Sequence, residues 1–348
     1  MTNTKAIGSY ATEKPLEELT IQRRALTTHD VEIDINFCGI CHSDLHAARN
    51  EWGGTKYPIV PGHEIVGRIA KAGTDVTKFK IGDLAAVGCI IDSCRDCDPC
   101  KEGLEQFCEP GNTIVFGSVD KHLGGHTFGG FSSNIVVDEN FVLHVPENLN
   151  LAAAAPLLCA GITVYSPLMH WKAGKGKRIG IIGIGGLGHL AIKFAKAMGA
   201  EVTVFSTSKA KVADAHRLGA DFVVLSTDAE QMKRQPKLDL IIDTVSANHN
   251  VNDYFRILKV DGTLVIVGLP AEQLAVGAYN LVKGRKNFAG SNIGGIAETQ
   301  EMLEFCALHN ITADIEIIQA QEINEAFDRL EKGDVHYRFV VDMASLKQ

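Results

Sequence analysis

A short glycine-rich turn restricts the fold of this chain more than any other feature. It reads GIGGLG, has the form GxGxxG and spans Gly183 to Gly188. A continuous apolar strand, Arg178 to Ile182, precedes it, and a helical segment, Leu187 to Met198, follows and ends at Gly199. In this context the first glycine permits a tight turn and the second lets the backbone approach a pyrophosphate. The third lets helix and strand pack closely.

The helix after the turn offers free N–H groups and a positive dipole end to phosphates, so the pattern predicts a dinucleotide-binding fold. The alternative is a glycine-rich packing turn without a ligand. The predicted cofactor contacts on the turn are Gly183, Ile184, Gly185, Gly186, Leu187 and Gly188.

Strand and helix patterns divide the chain into two parts, as a length of 348 residues also suggests. Strands separated by helical segments predict a parallel sheet with crossover helices, a doubly wound Rossmann domain, in the second part. Its later strands are predicted at 201–205, 221–225, 238–243 and 263–268. The first 150 or so residues predict short strands in a barrel or sandwich, at 31–37, 65–70 and 131–137. Helices are predicted at 151–158 and 298–309, and a last strand at 338–342.

The end of the strand at 201–205 indicates which dinucleotide would bind. An NAD site usually has an acidic residue about 20 residues beyond the turn, where it binds the ribose hydroxyls. This chain has hydroxyls there, followed by Lys209 and Lys211. Because hydroxyl and ammonium groups suit a 2′-phosphate, the sequence favours NADP. The alternative is an exposed polar loop of ordinary composition. The predicted contacts are Ser206, Thr207, Ser208 and Lys211.

Four of the nine cysteines lie within fifteen residues, with the spacing C-x2-C-x2-C-x7-C. Four thiolates at short spacing form a closed tetrahedral zinc site, which leaves no position for substrate and is therefore structural. The lobe has little to bury, so metal binding would supply its folding energy. The alternative is two disulfides. The predicted ligands are Cys94, Cys97, Cys100 and Cys108.

Composition excludes several classes of partner. The formal net charge is −8 and the sequence pI about 5.9, which argues against nucleic acid and anionic lipid. The longest apolar run, Ile179 to Ile192, contains His189 and is too short to cross a membrane. The segment Met1 to Gly8 has no apolar leader, and the odd cysteine count needs no disulfides, so we expect a cytoplasmic location.

A second metal site is scattered along the chain. Cys41 lies in GICHSDLH, His63 in PGHEIVG and Cys159 in LLCAG. Two cysteines and one histidine with an open fourth position form one known catalytic zinc arrangement. Singly, such a cysteine is more often a small buried hydrophobe and such a histidine a structural residue.

Together these blocks resemble the zinc-dependent medium-chain alcohol dehydrogenases, and most of all their cinnamyl alcohol dehydrogenase and bacterial aldehyde reductase branch. The motifs that carry the resemblance also include PLLCAGITVYSPL from Pro156 and GSNIGGIAETQEMLEFC from Gly290, so it spans nearly the whole chain. It implies a GroES-like β-barrel catalytic domain over 1–159 and 292–348, with the structural zinc lobe at about 90–110. A Rossmann domain over 160–291 is inserted between them.

The resemblance also implies a role for each residue of the scattered site. Cys41, His63 and Cys159 would hold a catalytic zinc that acts as a Lewis acid. Glu64 is either an auxiliary ligand or a charged neighbour of the metal, and Asp44 would bond the free ring N–H of His63.

Further roles follow from the same resemblance. Ser43 and His46 would relay a proton, unless they are a turn residue and a surface residue, and His42 would face the cofactor phosphates. Trp52 would line the substrate cleft, although a core position is nearly as plausible for a tryptophan. Cys89 would lie near the same pocket or serve only packing. The other implied cofactor contacts are Thr163, Thr244, Gly268, Ser291 and Ile293.

These observations predict an NADP-linked zinc aldehyde reductase or alcohol dehydrogenase for aromatic or medium aliphatic aldehydes, with two zinc ions per chain. By analogy with the family, a homodimer would form through the strand at 287–293. An NAD-dependent polyol dehydrogenase is one alternative, but it would need an acidic residue near Ser206. A non-catalytic protein on the same fold is another, but it would have lost Cys41, His63 or Cys159.

Overall fold

The computed structural model describes residues 1–347 and divides into two compact units. Unit 1 is Met1–Cys159 together with the chain from Gly294 onward, and unit 2 is Ala160–Ile293. The strands are β1 (Thr2–Gly8), β2 (Glu17–Arg23), β3 (Asp30–Gly39), β4 (Ile65–Ala72), β5 (Leu84–Val87), β6 (Ile90–Asp92), β7 (Thr113–Ile114), β8 (Asn134–Asp138), β9 (Leu143–His144), β10 (Arg178–Ile182), β11 (Glu201–Ser206), β12 (Phe222–Leu225), β13 (Leu238–Asp243), β14 (Leu258–Ile266), β15 (Asn287–Gly290), β16 (Ile315–Gln319) and β17 (Arg338–Asp342).

Helices connect these strands. The α-helices are α1 (His42–Ala48), α2 (Asp98–Lys101), α3 (Leu151–Ala154), α4 (Ala160–His170), α5 (Gly188–Ala197), α6 (Val212–Leu218), α7 (Ala229–Lys233), α8 (Asn252–Phe255), α9 (Ala278–Val282), α10 (Ile296–His309) and α11 (Ile323–Glu331). Short 3₁₀ helices lie at Glu105–Phe107, Glu139–Phe141, Ala155–Leu158, Lys209–Lys211, Ala320–Glu322 and Met343–Lys347.

Unit 1 is built on a seven-stranded sheet in the order β16-β17-β3-β4-β5-β9, with β8 also paired to β3. Strand β3 is central, and its alternating apolar residues Val31, Ile33 and Ile35 are buried. The β3–β4 register shifts twice, and such irregularities bend a strand and increase its twist. Because Cys38 on β3 pairs with Ile65 on β4, the chain leaving β3 lies beside the chain entering β4.

Unit 2 contains a six-stranded parallel sheet in the order β12-β11-β10-β13-β14-β15. The order reverses between β10 and β13, and ligands of open α/β sheets bind at such a switch point, beyond the carboxyl ends of the strands. The glycine-rich turn follows β10 and therefore lies at this point. Strand β10 is continuously buried from Ile179 to Ile182, as its apolar run predicts for a central parallel strand.

Several element boundaries differ from the sequence-based predictions; the strand predicted at 263–268, for example, is β14, Leu258–Ile266. Two other differences have a clear physical reason. The helix predicted at 151–158 is α3 followed by the 3₁₀ helix Ala155–Leu158, because Pro156 has no N–H to continue α-helical bonding. The strand predicted from Phe131 begins only at Asn134, since Phe131 N–H bonds Pro61 O across a loop (3.0 Å).

No single helix within residues 1–347 has the length and hydropathy needed to cross a membrane. The stretches Leu151–Leu158 and Ala160–His170 meet those criteria only when taken together, and both are largely buried.

Candidate active site and metal centres

Four candidate metal-ligand residues converge in unit 1 where β3 ends and β4 begins. One ligand atom each from Cys41, His63, Glu64 and Cys159 lies within 4.8 Å of the others. The β3–β4 pairing brings Cys41 beside His63 and Glu64, and Gly39 N–H bonds Glu64 O at 2.9 Å. Cys159 directly follows the 3₁₀ helix Ala155–Leu158. The structure therefore groups residues that are 118 positions apart in the chain, from 41 to 159.

Asp44 holds this group together. Its carboxylate is fully buried and accepts the backbone N–H groups of Cys41 (2.9 Å) and Gly62 (2.8 Å). It also bonds Nδ1 of His63 at 2.9 Å. Although burial opposes protonation of His63, the Asp44 carboxylate raises its pKa well above the usual value. A proton held on Nδ1 leaves Nε2 as the metal-binding atom, which is the usual arrangement of a metal-ligating histidine.

Glu64 is buried beside the same group. Its Oε1 accepts a hydrogen bond from Arg338 Nη2, which also donates to Ile40 O at 2.8 Å. Oε2 of Glu64 is buried and has no hydrogen-bond partner within residues 1–347. Burial raises the pKa of Glu64 to about 7. A buried carboxylate oxygen without a partner, next to two thiols and an imidazole, fits a divalent cation of the zinc type.

The thiols of this site interact directly. A hydrogen bond with Cys159 lowers the pKa of Cys41 well below its usual value, and the same contact raises the pKa of Cys159. A depressed pKa favours the thiolate, which is the form that binds metal. Cys89 also contacts Cys159, and this contact lowers its pKa. The structure thus places Cys89 against a proposed zinc ligand, a position that the sequence left open.

Ser43 and His46 lie on α1, three residues apart and therefore on one face of the helix. Ser43 Oγ is 3.7 Å from Cys41 Sγ. The His46 ring bonds Glu51 through Nδ1 and lies 5.0 Å from the Trp52 ring. The side chain of Trp52 is 58% exposed, which excludes the core position.

Sequence reasoning missed two groups around this helix. Glu51 lies just beyond the end of α1, and its only sequence signal is an acidic residue five positions after a histidine. The Phe116 ring lies 5.7 Å from the ring of His63, and no motif marked it.

The four clustered cysteines also meet, in a second group whose sulfur atoms lie within 4.8 Å of one another. Cys94 and Cys100 have Sγ atoms 3.9 Å apart. Backbone N–H groups of Asp96 and Cys97 donate to Cys94 Sγ and lower the pKa of this thiol to about 6. Burial raises the pKa of Cys108 to about 12. Four sulfurs this close fit a tetrahedral zinc ion, since Zn–S bonds of about 2.3 Å place neighbouring sulfurs nearly 4 Å apart.

The glycine-rich turn of unit 2 has the shape that its sequence requires. Gly183 has φ +91°, a left-handed conformation that suits glycine. A Cβ atom on Gly188 would come within 2.2 Å of Gly183 O, so helix and strand could not pack as they do. A Cβ on Gly185 would meet no atom within 4 Å, so open space adjoins the turn there. Helix α5 begins at Gly188 without a side-chain cap, which leaves N–H groups for an anion.

Most of the remaining predicted cofactor contacts of unit 2 lie beyond the carboxyl ends of the parallel strands, as the glycine-rich turn does. Ser206 ends β11 and accepts the N–H of Ser208 at 3.1 Å, and Lys211 Nζ reaches Ile184 O on the turn at 2.9 Å. Thr244 Oγ1 donates to Ile182 O at 2.7 Å. The others are Thr207 after β11, Gly268 after β14, Ser291 and Ile293 after β15, and Thr163, a buried residue of α4. His42 is the first residue of α1 in unit 1 and is exposed.

Comparison with known proteins places the chain in a family. The alcohol dehydrogenase GroES-like domain matches residues 27–147, and the zinc-binding dehydrogenase family matches residues 186–307. The chain is 52% identical over 349 residues to NADP-dependent alcohol dehydrogenase C 1 of Mycolicibacterium smegmatis, with 100% of both chains covered. This chain is a zinc-dependent medium-chain alcohol dehydrogenase. The predicted family and the fold class, a Rossmann domain inserted into a GroES-like domain, are confirmed.

Two further relatives agree with this placement. Aldehyde reductase YahK of Escherichia coli is 53% identical over 346 residues, covering 98% of this chain and 99% of the relative. The structure of a cinnamyl alcohol dehydrogenase from Sorghum bicolor superposes with a TM-score of 0.95 at 47% identity, covering 99% of this chain and 98% of the other. The chain is therefore an enzyme of this dehydrogenase family, as the sequence predicts.

Proposed function

We propose that this alcohol dehydrogenase interconverts aldehydes and alcohols with NADP(H) and zinc, and that its substrates are aromatic or medium aliphatic aldehydes. The observation that carries the proposal is the convergence of Cys41, His63, Glu64 and Cys159. Three of these residues form the ligand set of a catalytic zinc with an open position. The names of the relatives, NADP-dependent alcohol dehydrogenase and aldehyde reductase, support the activity.

When bound, zinc would supply Lewis-acid polarisation of the aldehyde carbonyl, and NADPH would supply the hydride. The chain itself orients the ligands. Asp44 fixes Cys41 and His63 through its three hydrogen bonds, and Arg338 holds one oxygen of Glu64. Glu64 therefore offers its second oxygen to the metal or stays beside it as a charged neighbour.

Proton transfer is assigned to Ser43 and His46 on α1. The Ser43 hydroxyl lies next to Cys41 and both donates and accepts, so it can pass a proton to the substrate oxygen. His46, on the same face, would resupply that proton from solvent. Because Glu51 bonds Nδ1 of His46, the imidazole keeps Nε2 for this exchange.

The rings of Trp52 and Phe116 supply apolar surface around this centre, next to His46 and His63 respectively. Large apolar rings favour aromatic or medium aliphatic aldehydes over small polar ones. The wild-type enzyme should therefore oxidise NADPH with benzaldehyde and cinnamaldehyde, followed by absorbance at 340 nm. Failure to use any member of an aldehyde panel, with zinc at full content, would overturn the proposal.

The NADP preference is assigned to the end of β11, where Ser206, Thr207 and Ser208 precede two lysines and no carboxylate follows the strand before Asp214. The glycine-rich turn would hold the pyrophosphate, with Thr163, Thr244, Gly268, Ser291 and Ile293 as further contacts and His42 toward the phosphates. These groups fit a 2′-phosphate, which an acidic residue would repel.

Replacing Ser206 by aspartate tests this assignment. Ser206→Asp should lower kcat/KM for NADPH by about ten- to a hundred-fold, because a charged hydrogen-bonding site is worth about 1.5–3 kcal/mol. It should raise kcat/KM for NADH. Steady-state rates with both cofactors measure the change, and the uncharged Ser206→Asn is the matched control. Equal effects of both variants on NADPH would show that charge is not the cause.

We also propose a homodimer in the cytoplasm. Strand β15 is at the edge of its sheet, and Phe288 on it is partly exposed, so a second copy could continue the sheet. None of the nine cysteines forms a disulfide in the described part of the chain, which suits a reducing compartment. Light scattering should give twice the chain mass of 37.6 kDa, and a monomer mass would contradict the dimer.

A further inference from the structure

A cavity of about 590 Å³ in unit 2 is lined by basic side chains and lies away from the glycine-rich turn. Three of the lining residues stand at the amino ends of neighbouring parallel strands: Lys237 before β13, Lys259 on β14 and Lys286 before β15. The turn lies beyond the carboxyl end of β10 in the same sheet. The cavity therefore lies at the amino ends of the parallel strands, and the dinucleotide site lies at their carboxyl ends.

The charge of this cavity is concentrated and poorly compensated. Its basic residues are Lys237, Arg256, Lys259, Lys283 and Lys286, and none of the lining residues identified in the described chain is acidic. Lys259 pairs with Asp239 at 2.7 Å and Arg256 with Asp253 at 3.5 Å. Within residues 1–347, the other three ammonium groups have no carboxylate within 4.0 Å. Three ammonium groups without a carboxylate partner, Lys237, Lys283 and Lys286, form a local attraction for anions in a chain of net charge −8.

Two of the lysines are held in place. Lys237 Nζ donates to Arg256 O and Lys286 Nζ to Phe255 O, so backbone carbonyls fix both ammonium groups at the cavity. Burial, together with Lys237 and Lys283, lowers the pKa of Lys286. These hydrogen bonds keep the two ammonium groups beside the cavity, where a bound anion would offset their mutual repulsion.

We propose that this basic cavity is a second ligand site, which binds a small anion carrying several phosphates, such as a nucleoside polyphosphate. A volume of 590 Å³ falls in the range of small-molecule sites, about 300–1,000 Å³. Lysine and arginine are the usual ligands of phosphate oxygens. Tyr279 also lines the cavity, and a base can stack on the ring face opposite the Lys283 ammonium, which lies 5.8 Å from the ring centroid.

Isothermal titration calorimetry on the zinc-loaded enzyme tests the site, with one NADP⁺ per chain added first so that the dinucleotide site is filled without an excess that could occupy the basic cavity. ATP and inorganic triphosphate are the two probes. Both should bind, and both should weaken as NaCl is raised because the attraction is electrostatic. If ATP binds more tightly than triphosphate, the base contacts Tyr279. If the two bind equally, only the phosphates are recognised. Absence of binding by both probes would overturn the proposal.

Two double variants separate this cavity from general surface charge. Arg256→Gln with Lys283→Gln should raise the dissociation constant of triphosphate at least ten-fold. The matched control, Lys172→Gln with Lys175→Gln, removes the same charge from exposed positions of unit 2 and should change it less than two-fold. If the probes only chelated zinc, the heat would be the same in both double variants, so a difference between them reports binding at the cavity. Equal weakening in both would show non-specific attraction and contradict the site.

Discussion

Replacement of Cys159 by alanine is expected to lower kcat for NADPH-dependent aldehyde reduction by about a thousand-fold or more. The loss of one of three strong ligands would release the catalytic zinc, and a Lewis acid stabilises such a transition state by several kcal/mol. Zinc content should fall from two ions per chain to one, because the four-cysteine group is separate. Rates at 340 nm and metal analysis on the same preparation measure both changes.

The matched control is Cys306→Ala. Cys306 is also buried, but it lies on α10 and belongs to neither metal group. It should keep two zinc ions and a rate within a few-fold of wild type. If Cys159→Ala retains both metal ions and the wild-type rate, the assignment of the catalytic ligands is wrong.

Replacement of Arg338 by methionine should cause the largest loss of stability. Arg338 is buried, and its guanidinium bonds Glu64 and Ile40 O. Removing one partner of a buried ion pair leaves the other uncompensated, at a cost of about 3–5 kcal/mol. Burial already raises the pKa of Glu64 to about 7, and losing Arg338 should raise it further. Urea unfolding of the zinc-loaded enzyme measures the loss.

The double variant Glu64→Gln with Arg338→Met gives the control. Because it removes both charges, it should be more stable than Arg338→Met alone, even though it carries one substitution more. If the double variant is less stable than Arg338→Met by the full effect of Glu64→Gln, the two residues are not coupled. The ion pair would then have no role in holding the site.

The local parts of the site could be predicted from the sequence, because their residues are close together in the chain. The four-cysteine spacing and the glycine-rich turn each lie within fifteen residues, and both have the expected geometry. The helix predicted at 151–158 shows the limit of local pattern. Pro156 can be read from the sequence, but the change to a 3₁₀ helix depends on how the chain packs toward Cys159.

The long-range parts could not be predicted from local pattern. Arg338 and Glu64 are 274 residues apart, and they meet because β17 pairs with β3, which in turn pairs with β4. The contact of Cys89 with Cys159 and the position of Phe116 beside His63 depend on the same packing. The family resemblance supplied the zinc ligands Cys41, His63 and Cys159. The residues that surround these ligands could be identified only from the strand pairing in the structure.

Restoring zinc stepwise to metal-depleted enzyme tests the central claim most directly. The rate of NADPH oxidation with cinnamaldehyde is measured against bound zinc per chain. The account predicts two binding sites, with activity that appears only as the site formed by Cys41, His63 and Cys159 fills. In the Cys159→Ala variant, one zinc should bind without activity. Full activity of the metal-free enzyme, or of that variant with one zinc bound, would contradict the account.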